Sequence, residues 1–274
     1  MRQVIAYPGT EGSFSWGAAM EAFPEGELRG FETFPEAAQA VVDGRADYAL
    51  LPVENSFAGA VLTTYQLLEK LPLFIVAETT RRVRQQLLGV KGAALSDVRR
   101  IASHPQAIAQ CDAFLQTLPG VQVIPGVNTA ICARQVMEAD DPAFAAIASE
   151  DAARVFGLDI LAADIQTSQT NTTRFFVLGR EMKPLSFPDK ATVIFTVKNK
   201  VGALVRVLDS FAHSGLNMSR IESRPIPNVP FRYFFSADFK GLMDAEHLTE
   251  AIEDARPMCQ EIRLLGVYPM DANA

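Results

Sequence analysis

Tyr48-Ala49-Leu50-Leu51-Pro52-Val53-Glu54-Asn55-Ser56-Phe57-Ala58-Gly59 decides the fold of this chain. The apolar run Tyr48–Val53 reads as a buried strand, and it ends abruptly in the polar loop Glu54–Gly59. A helical pattern over Val61–Leu71 follows, then a second short strand, Phe74–Ala77. Strand, polar loop, helix and strand form the repeating unit of an α/β region with a largely parallel sheet. The alternation extends both ways. Towards the N-terminus lie a strand at Val4–Tyr7, a loop at Gly9–Ser15, a helix at Trp16–Ala22, and a helix at Phe34–Val42 with Pro35 suited to its first turn. Towards the C-terminus the pattern predicts strands at Arg100–Ala102, Gln122–Pro125, Phe144–Ala148, Asp159–Ala163 and Phe175–Gly179. Helices fall at Ala107–Thr117, Thr129–Ala139 and Glu150–Phe156.

Polar turns recur just after strand ends: after Tyr7, after Val53, after Ala102 and near Pro125–Asn128. In open α/β sheets ligands sit at that edge, so two lobes facing a cleft are expected. Glu181–Lys190, with Pro184 and Pro188, reads as a linker. Beyond it the pattern becomes strand Ala191–Val197, helix Gly202–Ser214, the strand pair Leu216–Ser223 and Arg232–Phe239 around the turn-rich Pro225–Pro230, helix Ala245–Ala255 and strand Gln260–Tyr268. That βαββαβ order is ferredoxin-like and says nothing of function by itself.

A length of 274 residues suits about two domains. Hydrophobic residues at 49% and charged residues at 21% exclude a disordered chain. Apolar runs are strand-length, so no membrane span is expected, and no signal peptide is visible. The scattered Cys111, Cys132 and Cys259 have no metal-ligand spacing and read as reduced, buried thiols of a cytoplasmic protein. A net charge of −7 without a basic stripe argues against nucleic acid, so an anionic substrate would need a local positive site.

The strongest local signal is Asn171-Thr172-Thr173-Arg174-Phe175-Phe176, which puts an amide, hydroxyls and an arginine at a strand entrance. Arg174 can grip a carboxylate bidentately; an ordinary capped loop with a surface arginine fits the spacing equally well. Ser56 and Gly59 could offer backbone N–H groups to an anion at the next helix start, or Asn55 or Ser56 could simply cap that helix. In Ser103-His104-Pro105-Gln106, Ser103 as a helix cap with His104 orienting the turn outweighs a histidine base, because no partner completes a dyad. The loop Gly9-Thr10-Glu11-Gly12-Ser13-Phe14-Ser15 lacks both P-loop and dinucleotide spacing, so no nucleotide cofactor is expected. His104, His213 and His247 are far apart and suggest no zinc. Gly202-Ala203-Leu204 permits close approach of a partner or ligand, and Glu222 could meet a ligand ammonium; a packed dimer face is the equal alternative.

Taken together the segments at 9–15, 54–59, 103–107 and 171–175 resemble, in order, the motifs of the prephenate dehydratase family. Gly202–Leu204 and Glu222-Ser223-Arg224-Pro225 resemble the phenylalanine-binding motifs of that family's ACT domain. The resemblance implies a periplasmic-binding-protein-like, two-lobed catalytic domain at 1–180 (second lobe about 79–160), a linker at 181–190 and an ACT domain at 191–274. It implies decarboxylative dehydration of prephenate to phenylpyruvate, with no cofactor and no metal, since aromatisation drives the reaction. Thr173 would be the hydrogen-bond donor at the leaving hydroxyl, Arg174 would bind carboxylate and Phe175 would pack the site. Asn55, Ser56, Gly59, Ser13, Ser103 and Asn171 would complete the substrate site. The implied effector is L-phenylalanine, at Gly202, Ala203, Leu204, Asn217, Glu222, Ser223, Arg224 and Pro225 between subunits of a homodimer or homotetramer. No chorismate mutase segment precedes residue 1, which reads as monofunctional. Two departures stand out. Glu78–Leu88 is unusually rich in arginine, with Gln85 where the family commonly has histidine, and Gln166-Thr167 replaces the common Gln-Asp. Arogenate dehydratase is the nearest alternative; a non-catalytic two-lobed binding protein and an amino-acid-responsive regulator are remoter ones.

Overall fold

The computed structural model describes residues 2–182, 189–226, 229, 232–241 and 245–269. The chain divides into two compact units, one made of 1–64 and 80–175, the other of 65–79 and 176–274. The first begins with β1 (Val4–Pro8), α1 (Phe14–Ala22), β2 (Glu27–Phe31), α2 (Phe34–Val42), β3 (Tyr48–Asn55) and the short β4 (Gly59–Ala60). β1 pairs in parallel with β2 and β3, as right-handed βαβ crossovers require. Thr33 and Glu36 form a reciprocal capping box that starts α2. Gly30 has to be glycine, because a Cβ there would lie 2.6 Å from the Gly9 carbonyl oxygen.

After α3 (Leu62–Lys70) and β5 (Phe74–Arg82) the chain builds a second sheet. It comprises β6 (Gln86–Gly89), β7 (Arg100–Ser103), α4 (Pro105–Gln110), α5 (Asp112–Leu115), β8 (Gln122–Pro125), α6 (Thr129–Ala139), β9 (Phe144–Ala148), α7 (Glu150–Phe156) and β10 (Asp159–Ala162). β11 (Thr172–Gly179) then returns to the first sheet, whose order is β2-β1-β3-β11-β5; the second is ordered β10-β6-β9-β7-β8. The two crossing segments are tied by Val83 N–H to the Asn171 carbonyl at 2.8 Å and Ile165 N–H to the Gln85 carbonyl at 2.9 Å.

The α/β class holds, but the second sheet is mixed rather than largely parallel: β6 runs antiparallel to β9 and β10. β7, β8 and β9 end at the cleft side, whereas β6 starts there, so it must run against them. The helix expected over Ala107–Thr117 breaks at Cys111 into α4 and α5. α1 starts at Phe14, two residues earlier than the sequence suggests, because Ser13 caps it. β2 escaped the sequence reading, since Glu-Leu-Arg-Gly-Phe on a sheet edge is mostly solvated and carries no apolar run.

In the second unit β12 (Lys190–Val197), α8 (Ala203–His213), β13 (Asn217–Pro225), β14 (Tyr233–Lys240), α9 (Ala245–Ala255) and β15 (Cys259–Tyr268) form the expected βαββαβ domain. Its antiparallel sheet runs β13-β14-β12-β15 and packs Val193, Phe195 and Phe239 against Val207, Phe211 and Leu248 of the helices. The linker prolines Pro184 and Pro188 lie outside the described residues, as do Pro227, Asn228 and Pro230 of the turn.

Residues 65–79 belong to this unit for identifiable reasons. The Arg263 guanidinium donates to the carbonyls of Leu68, Leu71 and Leu73 at 2.7–3.0 Å, closing the C-terminal end of α3. Burial holds the Arg263 pKa below its ordinary value. Gly266 passes so close to Ile75 that an added Cβ would fall 2.1 Å from the Ile75 carbonyl oxygen. Lys190 on β12 donates to both carboxylate oxygens of Glu78 at 2.8 Å, with both side chains nearly sealed from solvent.

Candidate active site

The polar turns after β1, β3, β7 and β8 converge on one cleft of about 530 Å³ within the first unit. Gly9 and Ser13 line it from the first turn, Asn55 and Gly59 from the second, His104 from the third and Asn128 from the fourth. Thr173 and Phe175 on β11 complete the wall. Thr173 is the second residue of β11 and so stands at the strand entrance, as the sequence suggests, with its backbone already part of the strand.

Asn55 organises the centre. Its Nδ2 donates to Asn171 Oδ1 at 2.8 Å and to Thr173 Oγ1 at 2.9 Å. Its Oδ1 accepts from the backbone N–H groups of Phe57 and Ala58 at 3.1 and 2.9 Å. Those two backbone donors can only face an oxygen, so they fix which way the amide points. Asn55 therefore caps its own turn and not the next helix, which starts only at Leu62, so neither Asn55 nor Ser56 is that helix's cap. Because Thr173 Oγ1 accepts from Asn55, its own hydrogen is directed elsewhere, towards whatever occupies the cleft. Changing Asn55 to Asp should reverse this polarity: the carboxylate would take the Thr173 hydrogen, and turnover should fall roughly 10- to 100-fold. Steady-state kinetics on a variant with unchanged circular dichroism would check it.

Other expected site residues are placed differently. Ser103 is fully buried and donates to the Ile147 carbonyl at 2.7 Å, and the helix cap is His104, whose Nδ1 accepts from Gln106 N–H at 3.2 Å. A strand-end serine facing the neighbouring strand cannot also reach forward to a helix start. Ser56 accepts from Thr172 N–H at 2.9 Å and joins the loop to β11, away from the cleft lining. Arg174, half-buried beside Thr173, places its guanidinium 3.7 Å from the Glu54 carboxylate and does not line the cleft. Asn171 is buried and supports Asn55 from behind.

Three glutamines escaped the sequence reading as a group. Gln85 and Gln110 both line the cleft, and Gln85 Nε2 donates to Gln110 Oε1 at 3.1 Å. Gln166 Oε1 accepts from Gln85 N–H at 2.8 Å. They come from three distant segments, so no local pattern could join them. The arginine-rich stretch is explained by ion pairs: Arg81 meets Asp151 at 2.5 Å and Arg84 meets Asp164, whose carboxyl is thereby held below its usual range. Ser149 donates to the Gly12 carbonyl at 2.6 Å, joining the two lobes beside the first turn. The three cysteines are free and buried, and burial pushes the Cys111 thiol up to about 12.

In the second unit, Gly202, Ala203 and Leu204 line a separate cavity of about 350 Å³ together with Lys198, Arg232 and Tyr233. Gly202 adopts φ 75° where α8 begins, a conformation that favours glycine. Asn217, Glu222, Ser223, Arg224 and Pro225 lie on β13 and do not line that cavity. Glu222 is held between Arg220 and Arg224 on its own strand, so an incoming ammonium would compete with two guanidinium groups. Among the described residues no helix is long and apolar enough to cross a membrane.

Comparison with known proteins agrees with this architecture of a two-lobed α/β domain followed by an ACT domain. The prephenate dehydratase family model matches residues 5–183, and the ACT domain model matches 191–257. The chain belongs to the prephenate dehydratase family, whose enzymes are lyases. It is 38% identical, over 97% of its length and 72% of the relative's, to arogenate dehydratase/prephenate dehydratase 1, chloroplastic, of Arabidopsis thaliana. It is 36% identical, over 97% and 96%, to the bifunctional N-acyl-homoserine lactone acylase/prephenate dehydratase of Komagataeibacter europaeus. The crystal structure of prephenate dehydratase in complex with L-Phe from Arthrobacter aurescens matches with a TM-score of 0.87 and 32% identity, covering 97% of this chain and 89% of that one.

Proposed function

We propose that the cleft converts prephenate to phenylpyruvate, carbon dioxide and water, and that the C-terminal domain makes this sensitive to L-phenylalanine. The observation that carries the reading is the Asn55–Thr173 hydrogen bond, which leaves the threonine hydrogen directed away from Asn55 at the wall of the cleft. In the reaction the bond to the ring carboxylate breaks, its electron pair enters the ring, and the ring C–O bond breaks to expel hydroxide. A donor at that oxygen stabilises the departing charge only as it develops, which is where a preorganised hydrogen bond lowers a barrier. Threonine is too weak an acid to ionise near neutrality, so Thr173 acts by donating a hydrogen bond and relaying a proton. Arg174 follows Thr173 on β11 but does not line the cleft, so it can serve the side-chain carboxylate only by leaving Glu54 and turning inward when substrate binds. Purified protein should form phenylpyruvate from prephenate. Absence of turnover on both prephenate and arogenate would discard the reading.

Feedback control rests on the Gly202–Leu204 cavity, which opens beside the exposed apolar residues Val201, Val205 and Tyr233. Such residues suit a surface on which a second copy of the chain pairs. Millimolar L-phenylalanine should lower activity at subsaturating prephenate, and light scattering should show a dimer or tetramer. Buried free thiols suit a reducing compartment, and we place the enzyme in the cytoplasm. The match to the Komagataeibacter protein prompts an acylase assay alongside. The cleft speaks against that second activity: the Ser13 hydroxyl caps α1 and His104 Nδ1 faces Gln106 N–H, so neither is held as nucleophile and base.

A further inference from the structure

We propose that Gln85 is a specificity-determining residue of the cleft, reading whether the substrate side chain carries a keto oxygen or an ammonium. The proposal rests on the dehydratase reading of the same cleft. Gln85 is 2% exposed, yet it lines the cleft together with Asn55, His104, Gln110 and Thr173. Its backbone N–H is taken by Gln166 and its Nε2 by Gln110 Oε1. Its Oε1 is buried and has no hydrogen-bond partner among the described residues. An amide oxygen enclosed in this way carries an unmet demand for a donor, worth about 1–3 kcal/mol, that a ligand can satisfy.

The unpaired group can change sign. Gln85 and Gln110 are joined by one side-chain hydrogen bond between two amides. If both amides turn over, Gln110 Nε2 donates to Gln85 Oε1, and Gln85 Nε2 becomes the unpaired group instead. In the first arrangement the cleft offers an acceptor, which suits an ammonium. In the second it offers a donor, which suits a keto oxygen. Both arrangements keep the glutamine–glutamine bond, so the switch costs the protein little. Asn55 cannot do this, because two backbone N–H groups fix its oxygen. The cleft therefore holds one amide of fixed polarity beside Thr173 and one of reversible polarity at Gln85. A site built this way accepts either the keto acid or the corresponding amino acid without rebuilding its wall.

The test compares kcat/KM for prephenate and arogenate in wild type, Gln85→Glu and Gln85→Leu. A ratio measured on one preparation is insensitive to the fraction folded, which guards against loss of protein in either variant. Wild type should use both substrates. Gln85→Glu fixes an acceptor, so the arogenate-to-prephenate ratio should rise roughly tenfold or more. Gln85→Leu removes both polarities, and both values should fall about 10- to 100-fold with the ratio nearer to one. A ratio unchanged in both variants, or one moving towards prephenate in Gln85→Glu, overturns the role of Gln85 while leaving the dehydratase reading intact. Wild type inactive on both substrates overturns the two together.

Discussion

Replacing Thr173 with valine should lower kcat for the dehydration by about 10²- to 10⁴-fold, with KM changed far less. Valine keeps the β-branched shape that β11 accommodates and removes only the hydroxyl. Asn55 then retains Asn171 as a partner for Nδ2 and both backbone donors for Oδ1, so the loop should stay in place. Thr173→Ser restores the donor with a less restricted side chain and should recover to within about tenfold of wild type. A kcat–KM split is the informative readout, since a hydroxyl that merely binds substrate would raise KM and leave kcat alone. Valine and wild type turning over equally fast would remove Thr173 from the chemistry and leave Arg174 and Asn55 to be examined next.

The largest stability effect should come from the buried pair of Lys190 and Glu78. Their side chains are 7% and 1% exposed, and the ammonium donates to both carboxylate oxygens. Lys190→Met should destabilise the second unit by about 3–5 kcal/mol, because it leaves the Glu78 carboxylate buried without its cation. The double variant Glu78→Leu with Lys190→Met should recover most of that loss, since the favourable attraction and the desolvation cost of a buried pair nearly cancel. Urea unfolding of the wild type, both single variants and the double variant measures the coupling. Additive losses would show that the two residues act independently and that the attraction between them contributes little.

The contrast between these two predictions shows where sequence reading stops. Thr173 stands out in the sequence because the residues around it form a continuous motif, Asn171 to Phe175, although its partner Asn55, 118 residues away, does not mark itself as such. Lys190 fell at the end of a run that reads as a linker, yet it is the buried first residue of β12. Its meaning depends on Glu78, 112 residues away, and burial of a lysine cannot be inferred until its partner is known. Likewise Ser103 and His104 were both visible as turn residues, but which of them caps α4 depended on the strand direction that turns Ser103 towards Ile147.

By itself the sequence determined the alternation of short buried strands with helices, the βαββαβ domain after residue 190 and the polar loops at the strand ends. These follow from local periodicity, because which face of a helix or strand is apolar is written in neighbouring residues. Tertiary structure alone decided that β6 runs against its sheet, that residues 65–79 pack with the C-terminal unit, and that Gln85, Gln110 and Gln166 meet. The physical reason is common to all three. Each is a pairing between groups far apart in the chain, fixed by hydrogen-bond and desolvation demands that exist only once the chain has closed around them.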